Sequence, residues 1–264
     1  MKNQSKKVKN RLASSLTAEN SEILPFLPFL LQDFWELGSE PHIIIDLIKK
    51  HTNLNENARI LDLGCGKGAV SIQIAEKLQI TVRGIDLMPS FIAFAQEKAK
   101  QLNVSNLCNF SISDINNFGN KQHDCVILGA VGAICGTYPK TFRKLTTLTK
   151  KGGYIIIDDA YIETESTKTA YNSYVPYLTQ QQWNNLLQKF NLKIIAIDYN
   201  ENPQNNKNLD STAGIAALSK RANQLSKAYP DKSELFENYL ISQKNEYDDI
   251  DNNIICATWL LQKQ

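Results

Sequence analysis

The chain has 264 residues, of which 42% are hydrophobic and 21% charged, and its formal net charge is +2. That balance fits an ordinary globular protein, and no apolar run approaches the roughly 20 residues of a membrane helix. Lys2, Lys6, Lys7, Lys9 and Arg11 crowd the first eleven residues without an acid, and the rest holds 24 basic against 27 acidic residues. Nucleic acid is therefore not the expected partner, because non-specific binding needs a basic excess on the body.

Residues 1–11 read as a basic flexible tail. No apolar core or small-residue cleavage site follows it, so no secretory leader is expected and the cytoplasm is the expected location. Residues 12–51 read as a helical amino-terminal cover, with Leu24, Leu27, Leu30, Leu31 and Phe34 at helical spacing. Pro25 and Pro28 interrupt its first turns, and Pro41 opens a further helix over 41–51. A strand–helix rhythm follows. Strands are predicted at 59–63, 81–86, 109–112, 125–128, 154–157 and 192–197, with a last one at 254–261. Helices fall between them, with Val70, Ile74 and Leu78 on one face of the first and Ile92, Ala95, Ala99 and Leu102 on one face of the second. Residues 201–253 are polar and mostly helical, an insertion before the final strand of a core that spans 52–264. Such alternation means an α/β fold whose mainly parallel sheet is covered on both faces.

The strongest motif is Asp62-Leu63-Gly64-Cys65-Gly66-Lys67-Gly68, between a predicted strand and a predicted helix. Glycines at alternate positions let the backbone turn sharply and approach a ligand where a β-carbon would clash, and the loop offers amides at a helix start. Asp86 ends the next strand, the place for a carboxylate that accepts from both ribose hydroxyls. Dinucleotide enzymes use Gly-x-Gly-x-x-Gly, whereas this spacing is Gly-x-Gly-x-Gly with an acid two residues ahead. An acid beside the loop suits a ligand bearing an ammonium better than one bearing two phosphates. Cys65 reads as packing and Lys67 as solvent-facing. The five cysteines, Cys65, Cys108, Cys125, Cys135 and Cys256, contain no Cys-x-x-Cys pair, so no metal site or disulfide framework is expected.

These motifs resemble those of class I S-adenosylmethionine-dependent methyltransferases of the small-molecule type. The resemblance runs in family order across about 60–160: Asp62 to Gly68, Gly84-Ile85-Asp86-Leu87-Met88, Ser113-Asp114-Ile115, Asp124 to Gly129, and Lys151 to Asp158. It implies a Rossmann-like, seven-stranded, mostly parallel sheet and S-adenosyl-L-methionine as cofactor. It places Asp62, Gly64, Cys65, Gly66, Gly68, Asp86, Leu87, Ser113, Asp114, Ile115 and Gly129 around that cofactor. Asp114 has a second reading, as the cap of a turn through Asn116-Asn117.

In-line positioning supplies much of a methyl transfer, because the donor is already activated; a weakly acidic acceptor also needs a general base. Asp158, Asp159 and Tyr161 are the candidates, with Glu163 behind them. Strand alternation sends the two aspartates to opposite faces, so at most one faces a pocket. Tyr171, Tyr174 and Tyr177 join Tyr161 as candidate pocket walls. His42 is a candidate for the cleft, and His123 is set aside at the far end of its strand. The Asn/Asp-Pro-Pro-Tyr run of exocyclic-amine enzymes, the Pro-Cys of cytosine C5 enzymes and the double-glutamate loop of arginine enzymes are not found. A small-molecule acceptor is the expectation left. An RNA or protein methyltransferase and a non-catalytic S-adenosylmethionine-binding protein stand as alternatives.

Overall fold

The computed structural model describes residues 5–171, 175–199 and 211–264; the readings at Tyr174, at 201–210 and at the first residues of the basic tail lie outside them. In chain order the elements are α1 (Lys6–Ser14), a 3-10 turn (Ser21–Ile23), α2 (Leu27–Leu30), α3 (Pro41–His51), β1 (Arg59–Leu63), α4 (Ala69–Leu78), β2 (Thr81–Asp86), α5 (Pro89–Gln101), β3 (Cys108–Ile112), β4 (His123–Gly129), α6 (Tyr138–Leu148), β5 (Thr149–Ile162), β6 (Leu178–Thr179), α7 (Gln180–Lys189), β7 (Leu192–Tyr199), α8 (Ser211–Ala228), α9 (Ser233–Asn252) and β8 (Ile255–Lys263). The chain divides into two compact units, one of residues 35–159, 180–199 and 257–264, the other of 1–34, 160–179 and 200–256.

The larger unit is built on the sheet, whose order is β3-β2-β1-β4-β5-β8-β7, with β6 paired to β5 off that path. The strand path is the expected seven. The extra two-residue β6 was not legible as a strand, being too short to show alternation. β1 pairs in parallel with β2 (Asp62↔Gly84) and with β4 (Asp62↔Ile127), and β7 and β8 run antiparallel. The chain leaves β1 toward β2 on one side and returns at β4 on the other. The carboxyl ends of β1 and β4 therefore border the topological switch point, where open α/β sheets bind ligands.

One face of the sheet is covered by α3 and α4: Ile44, Ile48 and Ile74 share a buried cluster with Ile60, Ile127, Ile156 and Leu260. Alternation turns Trp259 to the other face, where it stacks on Trp183 of α7 with ring centroids 4.7 Å apart and Trp183 meets Phe142 of α6. α3 was read from sequence as part of an amino-terminal cover. It lies on the first of these faces, where its buried Ile43, Ile44, Ile45, Leu47 and Ile48 pack against strand side chains.

The smaller unit joins α1, α2, α8 and α9 with the segment after β5. α1 begins at Lys6, inside the stretch read as a mobile tail: Ser5 caps it by accepting from Val8 N, and Leu12 and Ala13 are buried. Phe26 packs edge-on against Phe236 and Tyr229, and Arg221 forks onto both oxygens of Asp33 at 2.7 Å. Asp249, fully buried on α9, accepts from the main-chain amides of Ala170 and Tyr171. Among the described residues no helix is long and apolar enough to cross a membrane, and no group of His, Cys, Asp and Glu is placed to hold a metal ion.

Candidate functional site

The loop after β1 is a main-chain cradle. Gly64, Gly66 and Gly68 have φ of +75°, +50° and +77°, a region costly for residues with a β-carbon. The amides of Gly64 and Cys65 both donate to the Ile85 carbonyl at 2.8 and 3.0 Å, which ties the loop to the end of β2. A β-carbon on Gly64 would lie 3.0 Å from Val131, and one on Gly68 would lie 2.8 Å from Ala95 Cβ. Cys65 is buried against Gly84, and burial pushes its thiol well above the usual range, as a packing residue requires. Lys67 corrects the sequence reading: it is 4% exposed, its ammonium 5.1 Å from the centroid of Phe94. Its methylene stem lets it lie over an aromatic face in a way charge alone does not reveal.

Two buried carboxyls flank this cradle. Asp62 accepts from Ser71 Oγ at 2.6 Å. Burial pushes its carboxyl up to about 6; the Ser71 hydrogen bond partly offsets this and neighbouring Asp86 adds to it. Asp86 points into the loop: Oδ2 accepts from Gly66 N at 3.0 Å and Oδ1 from Met88 N at 2.7 Å. Burial raises its carboxyl and these amides work against that rise. Each oxygen keeps a lone pair for a further donor. Among the described residues neither carboxyl forms an ion pair with a lysine or arginine. The donor set thus fits a ligand that brings its own cation and hydroxyls, as S-adenosylmethionine does, while the glycines themselves are required by packing, since β-carbons on Gly64, Gly66 and Gly68 would meet Val131, Leu37 and Ala95.

The other expected contacts gather along the same edge. Leu87 follows Asp86, half-buried, and Ser113 N donates to the Asp86 carbonyl at 2.9 Å. Asp114 takes the turn-capping role, its Oδ1 accepting from both nitrogens of Asn116 at 2.9 Å, while Ile115 is buried. Gly129 ends β4 paired with Asp158, and a β-carbon there would collide with Ser39 Oγ.

Asp158 and Asp159 face opposite ways. Asp158 is 8% exposed and accepts from Thr258 Oγ1 at 3.1 Å. Burial pushes its carboxyl up to about 6, the Ser39 and Thr258 hydroxyls pull it back, and the acids Glu40 and Asp198 push it further. Asp159 instead accepts from Tyr138 OH at 3.3 Å. Tyr161 and Tyr171 are buried in the smaller unit, where Tyr177 packs near Ala160 and Ile162, and Glu163 is exposed. His42 is exposed beside Glu40, and His123 is buried at the start of β4, away from the carboxyl edge. Ser71, Ser39, Thr258 and Tyr138 were not anticipated. Ser71 alone had a local signal, a hydroxyl in the first turn of the helix that the loop opens; the others arrive from distant segments.

The raised Asp62 and Asp158 carboxyls make a prediction. The folded chain keeps these protons up to about pH 6, whereas an unfolded aspartate releases its proton near 4. The native state then binds more protons in that window, so stability falls as pH rises through it, on the order of 2–3 kcal/mol per carboxyl. Thermal unfolding from pH 4 to 6.5 is expected to show a steeper fall in wild type than in Asp62→Asn. Equal slopes would mean that Asp62 does not titrate there.

Residues 54–195 match the family model described as "Methyltransferase domain". Over 125 residues the chain is 28% identical to Phosphoethanolamine N-methyltransferase 1 of Arabidopsis thaliana, covering 47% of this chain and 25% of that protein. Over 76 residues it is 38% identical to Putative methyltransferase YqeM of Bacillus subtilis, covering 29% of this chain and 30% of that protein. The matched stretches span about a quarter to a third of these relatives' lengths. The fold is similar to a crystal structure of an S-adenosylmethionine-dependent methyltransferase from Thiobacillus denitrificans in complex with S-adenosyl-L-homocysteine, with TM-score 0.72 and 17% identity over 90% of this chain and 98% of that one. YjhP of Escherichia coli has TM-score 0.71 and 18% identity over 97% of this chain and 100% of that one.

Proposed function

The chain belongs to the methyltransferase-domain family of S-adenosylmethionine-dependent enzymes, and from that premise we propose that it transfers a methyl group from S-adenosylmethionine to a small-molecule acceptor. The observation that carries this is the pair of buried acids, Asp62 and Asp86, set around a loop bent by three glycines at positive φ. When bound, the donor supplies a methyl group already activated on a sulfonium.

The residues then have positioning and proton-holding roles. Asp86 orients ribose hydroxyls with the lone pairs left after Gly66 and Met88, and Asp62 in its ionised form draws the ammonium end. Ser113, Asp114 and Ile115 border the base. Gly129, at the end of β4, admits the Ser39 side chain beside Asp158. Asp158, poised near 6 and beside Gly129, is placed to hold a proton from the acceptor. Asp159, anchored by Tyr138, and Tyr161 are the further candidates on that strand. Amines are the first acceptors to try, since three of the similar plant proteins are named phosphoethanolamine N-methyltransferases.

Calorimetry with S-adenosylhomocysteine, and with NAD as comparator, tests the reading. Micromolar binding, roughly −8 kcal/mol, is expected for the first and none for the second. No heat and no thermal shift with S-adenosylhomocysteine would overturn the proposal. Methyl-labelled donor and a metabolite extract would then identify the acceptor by product mass. Label found only in protein or RNA would count for the rival acceptor classes, and binding without any labelled product would point to a non-catalytic protein.

A further inference from the structure

The glycine loop is held by a residue outside the motif. Trp35, half-buried just before α3, donates from Nε1 to the Lys67 carbonyl at 3.2 Å across 32 positions of sequence. The same peptide is held at its other end, where Gly68 N donates to the Cys65 carbonyl at 2.8 Å. Of the two residues this peptide joins, Gly68 is at positive φ. A glycine crosses between backbone wells with little steric cost, so the peptide is soft on its Gly68 side and the indole bond restrains it. The indole is itself fixed. Its ring packs against the buried cluster of Cys65, Ile72, Ala95 and Phe110, and the Lys98 ammonium sits 4.9 Å from its centroid. The following residues lie along the same edge: Glu36 accepts from Gln73 Nε2 at 3.0 Å, and a β-carbon on Gly66 would lie 3.3 Å from Leu37 Cδ1.

We propose that Trp35 is a positioning residue for the donor, acting through the Lys67 carbonyl to hold the Gly66–Gly68 bend in its binding shape. The proposal rests on the assignment of the loop to S-adenosylmethionine. Trp35→Phe keeps an aromatic ring on the buried cluster and removes the N–H. Two measurements test it. In the ligand-free protein, amide exchange over residues 64–72 is expected to quicken in Trp35→Phe, with β4 and β5 unchanged. S-adenosylhomocysteine is expected to bind that variant about fivefold more weakly, the scale of one hydrogen bond. Glu36→Ala, which removes the neighbouring contact and spares the loop carbonyl, is expected to bind as wild type does. Unchanged affinity in Trp35→Phe, an equal loss in Glu36→Ala, or faster exchange throughout the sheet would each overturn the proposal. If wild type itself fails to bind, the donor assignment falls and the positioning role falls with it; the exchange data show separately whether the tether exists.

Discussion

Asp86→Ala is expected to weaken S-adenosylhomocysteine binding about 100-fold or more. Hydrogen bonds to a charged acceptor contribute roughly 1.5–3 kcal/mol each, and a ribose diol places two hydroxyls against one carboxylate. The substitution also strips Gly66 N and Met88 N of their acceptor, so the loop and the start of α5 both lose an anchor. Asp86→Asn separates these contributions. It preserves the shape and one acceptor oxygen but presents an amide donor where a hydroxyl or main-chain N–H must donate. Binding is expected to fall most of the way to the alanine level while the unfolding temperature drops less. The measurement is titration calorimetry well below the unfolding transition of each variant. An alanine variant within threefold of wild type would show that the ribose site lies elsewhere.

The second large effect is on the fold. Gly68→Ala is expected to destabilise the protein by about 3 kcal/mol. The left-handed backbone costs a residue with a β-carbon roughly 1–2 kcal/mol, and forcing a methyl into a packed site costs about 1–3 kcal/mol more. At Gly68, with φ of +77°, the added carbon would lie 2.8 Å from Ala95 Cβ and 3.0 Å from the Phe110 ring. Both neighbours are buried, so neither can yield without disturbing the contact of α5 with β3. For a chain of this size the unfolding temperature should fall by roughly 6–10 °C. Gly119→Ala is the control: that glycine has no positive φ and nothing within 4 Å of a β-carbon. If both variants melt together, the glycine at the start of α4 is a tolerant position and not a packing requirement.

Much of this was legible beforehand. β1 and β2 begin and end where the sequence put them, and α3 spans 41–51 as Pro41 foretold. Local chemistry sufficed there, because strand and helix periods and the steric demands of glycine and proline act within a few residues. The bend from Asp62 to Gly68 and the strand-end acid Asp86 could be read on the same ground, whereas the donor came from the family resemblance. Lys67 could not be placed, since its burial depends on Phe91 and Phe94 one helix away. Nor could α1, whose start within a lysine-rich stretch depends on partners for Leu12 and Ala13.

The succession of strands and helices along the chain, the glycine bend and the strand-end acids beside it follow from the chain's own patterning, because each is set by interactions among near neighbours or by a period repeated along the sequence, whereas the order of strands across the sheet is long-range pairing. Tertiary structure alone decided which hydroxyls meet which carboxyls, Ser71 on Asp62, Thr258 on Asp158 and Tyr138 on Asp159. It alone brought the Trp35 indole to the loop carbonyl. Those contacts join residues from nine to a hundred positions apart, and the burial that raises the two aspartates exists only once such segments have closed over them.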